Sequence, residues 1–238
     1  MKKDRRRIIV FIIFITGLSL LLYPQISSIW SEHKQEQTVE KYREAVKKNE
    51  ANNQFAAERE KAVTYNESLL PQELPQAFDE AEKAEIPDEE YVSCLNINGD
   101  GMMGYVEIPK IDVKVAIYHS TDGKVLEAAA GHIEGSSLPI GGETTHAIIS
   151  AHRGLPTAEL FTKLDQLEIG DVFSISVLDE TLYYEVDQIA VVEPSNIEFL
   201  KIEEGKDLVT LMTCTPYGIN SHRLLVRGAR VQEVTDGR

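Results

Sequence analysis

Apolar residues fall along this chain in three rhythms, and each predicts a different kind of element. The first is continuous. No charged residue occurs from Ile8 to Ser31, and the stretch IIVFIIFITGLSLLLY is almost wholly apolar. At about 1.5 Å of helical rise per residue, roughly 20 such residues cross the hydrocarbon of a bilayer. The strict run stops at Pro24, and Ile26, Ile29 and Trp30 extend it, with Trp30 suited to the membrane interface. The second rhythm is helical. TVEKYREAVKKNEANNQFAAEREKAV is rich in good helix formers and sets Val39, Tyr42, Ala45 and Val46 on one face. The third has a period of two, or runs of β-branched residues, and begins near Gly104. YVEIPKI, VKVAIYH, THAIISAH, DVFSISVL, LYYEVDQIAVV, DLVTLMTC and RLLVRGARV each predict a strand. Asp179-Glu180 predicts a hairpin turn, and AELFTKLDQL a short helix.

Between the helical and the β rhythms, Pro71, Pro75 and Pro87 interrupt an acidic stretch that predicts a long surface connection. The chain thus divides into a basic head and transmembrane anchor (1–30), a helical stalk (31–70), a connecting or lid-like segment (71–100) and a β domain (101–238). Seven or so closely spaced strands predict a mainly β fold, a barrel or a sandwich.

Charge sharpens the topology. Lys2, Lys3, Arg5, Arg6 and Arg7 precede the apolar run, interrupted only by Asp4, and such a head stays in the cytoplasm. No A-x-A-like cleavage site follows the run, so an uncleaved anchor is expected, with the remaining chain outside the cell. The C-terminal VQEVTDGR is polar, and no second span is expected. A formal net charge of -15 opposes nucleic acid as a partner, because phosphates would be repelled. It serves solubility first, and is compatible with a basic peptide or amine substrate.

Two cysteines, Cys94 and Cys214, are too few for a disulfide framework and match no Cys-x-x-Cys pattern. Cys214 ends an apolar strand and meets Thr215-Pro216-Tyr217-Gly218, which cannot continue it. A rigid strand opening onto a loop suits a reactive side chain; the alternative is a buried structural thiol. His152 sits in the same kind of place, after HAIIS and before the breaker Arg153-Gly154-Leu155-Pro156. Thiol chemistry needs a proton partner that works near neutral pH, which histidine supplies. His33, His119, His132, His146 and His222 compete with it; His33 lies in the stalk, and His222 faces away from its neighbour Arg223 on a strand. Arg223, nine residues after Cys214, returns beside it if the two segments form an antiparallel pair. Its guanidinium could favour the thiolate or hold an oxyanion; the alternative is an ordinary salt bridge, the role expected of Arg227 and Arg230. A papain-type arrangement is excluded by chain order, since here the histidine comes first and the cysteine ends a strand. Scattered ligands with one cysteine at the site do not suit zinc.

TLMTCTPYGINSHRLLVRG resembles the signature of sortases. GYVEIPKIDVKVAIYH resembles that family's first barrel strands, and GHIEGSSLPIGGETTHAIISAHRGLPTAELFTKL the stretch that carries its histidine. The resemblance covers about Met103 to Val234, and CTPYGINSHRLLVRG with GLPTAELF is most similar to class C, the pilus-assembling branch. It implies an eight-stranded β-barrel, with Cys214 as nucleophile, His152 as proton-transfer partner and Arg223 as oxyanion stabiliser. It further implies cleavage of an LPxTG-like sorting signal between Thr and Gly, a thioacyl-enzyme, and transfer to a pilin lysine. No cofactor is implied. The setting implied is the membrane of a Gram-positive bacterium, with partners in sorting signals of pilins or surface proteins and in an acceptor amine. The Asp-Pro-aromatic lid motif usual in class C is absent from 71–91, although Phe78-Asp79 or Tyr91 could substitute for it. A housekeeping sortase that attaches proteins to peptidoglycan is the alternative within the family, and a non-catalytic surface scaffold the alternative outside it. Cys94 has no role in the resemblance and is expected to be a partly buried thiol.

Overall fold

The computed structural model describes residues 2–50, 55–69, 88–155 and 158–232. Helix α1 (Lys2–Glu50) runs unbroken from the basic head through the apolar stretch into the stalk, and α2 (Phe55–Leu69) follows. Within α1 lies a stretch long and apolar enough to cross a membrane, whose side chains are exposed. Of the connecting segment, residues 71–87 lie outside the described residues, so the lid expected over 71–91 does too, apart from its last residues. There Asp88 caps a short helix, Glu89–Ser93, by accepting a hydrogen bond from the Glu90 amide.

Eight strands form a closed barrel: β1 (Met102–Ile108), β2 (Val113–His119), β3 (Ala130–His132), β4 (Thr145–Ser150), β5 (Val172–Val177), β6 (Glu180–Val192), β7 (Asp207–Thr215) and β8 (His222–Val231). Their order around the barrel is β1-β2-β3-β4-β7-β8-β6-β5. Two neighbouring pairs are parallel, β2 with β3 and β4 with β7; the others are antiparallel. Closure removes the free edges that a sandwich would leave. The seven strands expected from periodicity are present. The eighth, β3, is only Ala-Gly-His, too short to show a period.

Two local expectations need correction. The β5–β6 turn falls at Leu178-Asp179, one residue earlier than the composition indicated, with Leu178 at φ +51°. The helix expected over 158–167 is instead a series of turns ending in a 3-10 turn, Leu164–Gln166. Leu160 adopts φ +40°, which breaks a right-handed helix. Burial of Phe161, Leu164 and Leu167 in the barrel core then fixes the irregular path.

Strand alternation explains the core. All eight strands send alternate residues, among them Val106, Val115, Ile149, Ile175, Leu211 and Val226, into one buried cluster, which is therefore the barrel interior. Gly228 of β8 belongs to the same row, and a Cβ there would meet the Phe173 ring at 2.6 Å. On the outer face, Ile148, Met212 and Leu225 from β4, β7 and β8 form a second cluster with Ile133, Val192 and Leu200. The β6–β7 connection covers it.

Helix α1 is attached through its stalk half. Val39 and Tyr42 are buried, and Ala45 and Val46 partly so, as the helical face predicts. The Tyr42 hydroxyl donates to the Met103 carbonyl (2.8 Å) and accepts from the Leu178 amide (2.9 Å). Gln35 accepts from the Ala116 amide and donates to the Ala128 carbonyl. In Tyr42→Phe the buried Leu178 amide and Met103 carbonyl lose that partner. The expected cost is about 1–3 kcal/mol, read from denaturant unfolding of the detergent-solubilised chain.

Two histidines are buried as neutral rings. Nε2 of His132 lies 2.8 Å from the Ser137 carbonyl, which can only accept, so Nδ1 accepts from the Tyr91 hydroxyl (2.9 Å). By the same logic His146 donates from Nδ1 to the Lys201 carbonyl and accepts at Nε2 from Thr210. Burial lowers both pKa values from 6.5 to about 4. Between those limits the unfolded chain binds protons that the folded chain does not. Stability from these groups is therefore complete above about pH 6.5 and declines as pH falls toward about 4, on the order of 3 kcal/mol for each ring. Urea unfolding across that range should display the decline, and His146→Gln should flatten it.

Candidate active site

Strand β7 is the spine of the site because it is paired along both edges. On one side it runs antiparallel to β8, with Cys214 directly opposite Arg223 and Thr215 opposite His222. Directly opposite residues share a face of the sheet, with Cβ atoms about 4.5–5.5 Å apart. On the other side β7 runs parallel to β4, with Thr145 level with Asp207 and Ser150 level with Met212. At the same offset, two residues past the end of the ladder, His152 would stand level with Cys214.

Side-chain parity then decides what faces what. Met212 and Leu225 belong to the outer cluster, so Cys214 and Arg223, two residues along each strand, lie on the same outer face. Ile148 of β4 belongs to that cluster too, and His152 follows β4 by two residues. Cys214 and Arg223 thus form a cross-strand pair on the outer face, with His152 in the turn just past the end of β4. Cys214 and His152 are half-buried and Arg223 is buried. The Arg223 Nη1 lies 3.4 Å from the Asn220 carbonyl and 3.5 Å from that of His222, at the outer limit of hydrogen bonding.

The turn after β4 is held from several directions. The Ala151 amide donates to the Met212 carbonyl (3.1 Å), and the Thr213 hydroxyl donates to the Ala151 carbonyl (2.7 Å). The His152 carbonyl accepts from the amide of Phe161, a residue buried in the barrel core. Arg153 donates from Nη1 to the Thr215 hydroxyl (3.0 Å) and pairs through Nη2 with Asp165 (2.5 Å). Gly154, at φ +82°, lies under the Tyr217 ring; a Cβ there would come within 2.8 Å of it.

The other titratable candidates are elsewhere. His222 hydrogen-bonds Ser221 and, by parity, faces away from Cys214. His33 contacts Gln37 one turn along α1. Both ring nitrogens of His119 lie against the carbonyls of Gly101 and Cys94. His132 and His146 are committed to the buried bonds described above. Cys94 is fully buried rather than partly so; burial raises its thiol pKa, and it is not joined to Cys214 in a disulfide. Arg227 pairs with Asp187 and Glu203, as expected, and Arg230 stands 5.7 Å from the Tyr184 ring centre. Arg153 and Thr215 were not singled out by the sequence. Arg153 reads there as part of a loop breaker, and only the strand offset connects it with Thr215.

A closed eight-stranded barrel with this strand order matches the sortase fold. A family model of the sortase domain matches residues 106–231, and the chain belongs to the sortase family, a family of cysteine transpeptidases. It is similar to the crystal structure of sortase C-1 from Streptococcus pneumoniae, with 42% identity, 83% of this chain and 100% of that chain covered, and a TM-score of 0.75. It is also similar to a pilus-related sortase C of group B Streptococcus, with 40% identity, 81% and 96% coverage, and a TM-score of 0.72. Sortase D of Bacillus subtilis is 28% identical over 131 residues, 54% of this chain and 63% of that relative.

The Gly154 turn is directly testable. Gly154→Ala forces a side chain into the left-handed region and against Tyr217. An unfolding free energy lower by about 1–2 kcal/mol is expected in a denaturant titration.

Proposed function

We propose that the chain is a pilin-polymerising transpeptidase, with Cys214 as nucleophile, His152 as acid and base, and Arg223 as oxyanion stabiliser. The observation that carries this is the cross-strand pairing of Cys214 with Arg223 on the outer face of β7 and β8, with His152 just past the end of neighbouring β4. The thiolate of Cys214 attacks the threonine carbonyl of an LPxTG-like signal, forming a C–S bond and a tetrahedral oxyanion beside Arg223. A guanidinium fixed at that place stabilises charge as it develops. The C–N bond breaks, and the departing glycine amine takes a proton from His152. A lysine amine of the next pilin then attacks the thioester and gives its proton to His152, and the Cys214 thiolate leaves. Thiolate and imidazolium are both restored.

Similarity of 40–45% to several sortase C structures supports the pilin reading over attachment to peptidoglycan. The basic head and apolar stretch of α1 support a single-pass anchor with a cytoplasmic N-terminus and an extracellular barrel. The division into anchor (1–30), stalk (31–70), connecting segment (71–100) and catalytic domain (101–238) belongs to the same reading.

The test supplies the detergent-solubilised chain with an LPxTG-like peptide and two amines, a pilin-derived lysine donor and a peptidoglycan-like amine. Product masses should report the lysine adduct, and a thioester on Cys214 should accumulate when amine is withheld. Cys214→Ala should abolish both while the fold survives. Undiminished covalent product in that variant defeats the proposal; preference for the peptidoglycan-like amine assigns the housekeeping reaction.

A further inference from the structure

Backbone pairing between β4 and β7 stops just before the residues that matter most. The ladder runs from Thr145–Asp207 to Ser150–Met212, and the Ala151 amide donates to the Met212 carbonyl at its end. His152 and Cys214 lie beyond it. Side chains take over there, on the opposite face of the sheet. Thr213 donates to the Ala151 carbonyl, and Arg153 donates to Thr215. Both contacts fall on the row of Ala147, Ile149, Val209 and Leu211, which faces the barrel interior. The Arg153–Thr215 bond keeps the same strand offset that sets His152 level with Cys214.

From this we infer that Arg153 is a positioning residue: its bond to Thr215 on the inner face extends the β4–β7 register and keeps His152 beside Cys214 on the outer face. The inference rests on reading His152 and Cys214 as the reacting pair. The Arg153 guanidinium is suited to the task because a planar fork can bond two separate acceptors at once. One arm takes Thr215, and the other takes Asp165, in the 3-10 turn of the segment whose Phe161 amide holds the His152 carbonyl. The β4 end, the β7 end and the returning loop are thereby joined at one side chain.

An ordinary surface ion pair does not account for this arrangement. The Arg153 side chain is only 9% exposed, whereas Asp165 is 49% exposed. Its Nε is buried with no hydrogen-bond partner among the described residues. Burying a guanidinium with one donor unsatisfied costs stability, and a half-exposed carboxylate offsets little of that. The cost falls at the point where the backbone ladder ends and the imidazole must be held.

The experiment is a double-mutant cycle in the full-length chain, with Arg153→Ala, Thr215→Val and the pair. Assayed with an LPxTG-like peptide and a lysine donor well below the unfolding temperature, each single variant should lose roughly 10–100-fold in kcat at little changed KM. Misplacement of a reacting group by about 1 Å has that effect. The double variant should be no slower than the worse single variant, because both remove one interaction. Arg153→Lys should recover part of the rate. A second readout needs no sorting peptide: alkylation of Cys214 by iodoacetamide, located by peptide mass, should slow in Arg153→Ala to the rate of His152→Ala. Multiplicative losses in the double variant, or alkylation at the wild-type rate in Arg153→Ala, overturn the inference. If the wild-type chain transfers no LPxTG-like peptide, the function proposed above fails on its own and the alkylation comparison still decides the role of Arg153.

Discussion

Strand β7 is hydrogen-bonded along both edges, and the register of those two ladders governs the rest of the molecule. A slip of one residue against β8 would turn Arg223 from the outer face to the inner one. A slip against β4 would do the same to His152. The two ladders are of opposite kinds, parallel on one side and antiparallel on the other. The register is also defended on both faces of the sheet. Interior packing of Ile149, Leu211 and Val226 fixes it on one side, and packing of Ile148, Met212 and Leu225 on the other. With both faces buried, a slip of one residue would exchange one apolar row for the other and lose the packing fit of each.

The legible and illegible parts of the sequence separate along physical lines. DLVTLMTC and RLLVRGARV were readable because long β-branched and apolar runs bounded by Pro and Gly leave little else for a chain to do. The spacing from Cys214 to Arg223 could then be turned into cross-strand pairing. β3 was not readable, because Ala130, Gly131 and His132 carry no period and pair only through partners distant in the chain. The segment 158–167 has helical composition, yet its backbone follows the burial of Phe161, Leu164 and Leu167, so tertiary packing overrode local propensity. Arg153 was illegible for a different reason. Its partner Thr215 is identified only through the β4–β7 offset, and a parallel pairing between distant segments leaves no local mark.

Histidine illustrates how much depends on surroundings. Six are present, and nothing in their type distinguishes them. His132 and His146 are locked as neutral rings by carbonyl and hydroxyl partners and by burial that opposes their charge. His152, two residues past the end of β4, is half-buried. Chain context narrowed the field by removing His33 and His222, but distinguishing the buried rings from an accessible one required the fold.

The helix that carries the apolar stretch is also the helix that delivers Tyr42 and Gln35 to the barrel wall. The barrel is therefore not on a slack leash. With residues of the apolar stretch gripped by lipid, the same rod would set the barrel's tilt and its height above the bilayer. A barrel confined in that way would sweep a small volume. Molecules tethered to the same sheet of lipid would then meet it at a local concentration far above their average in the surrounding medium.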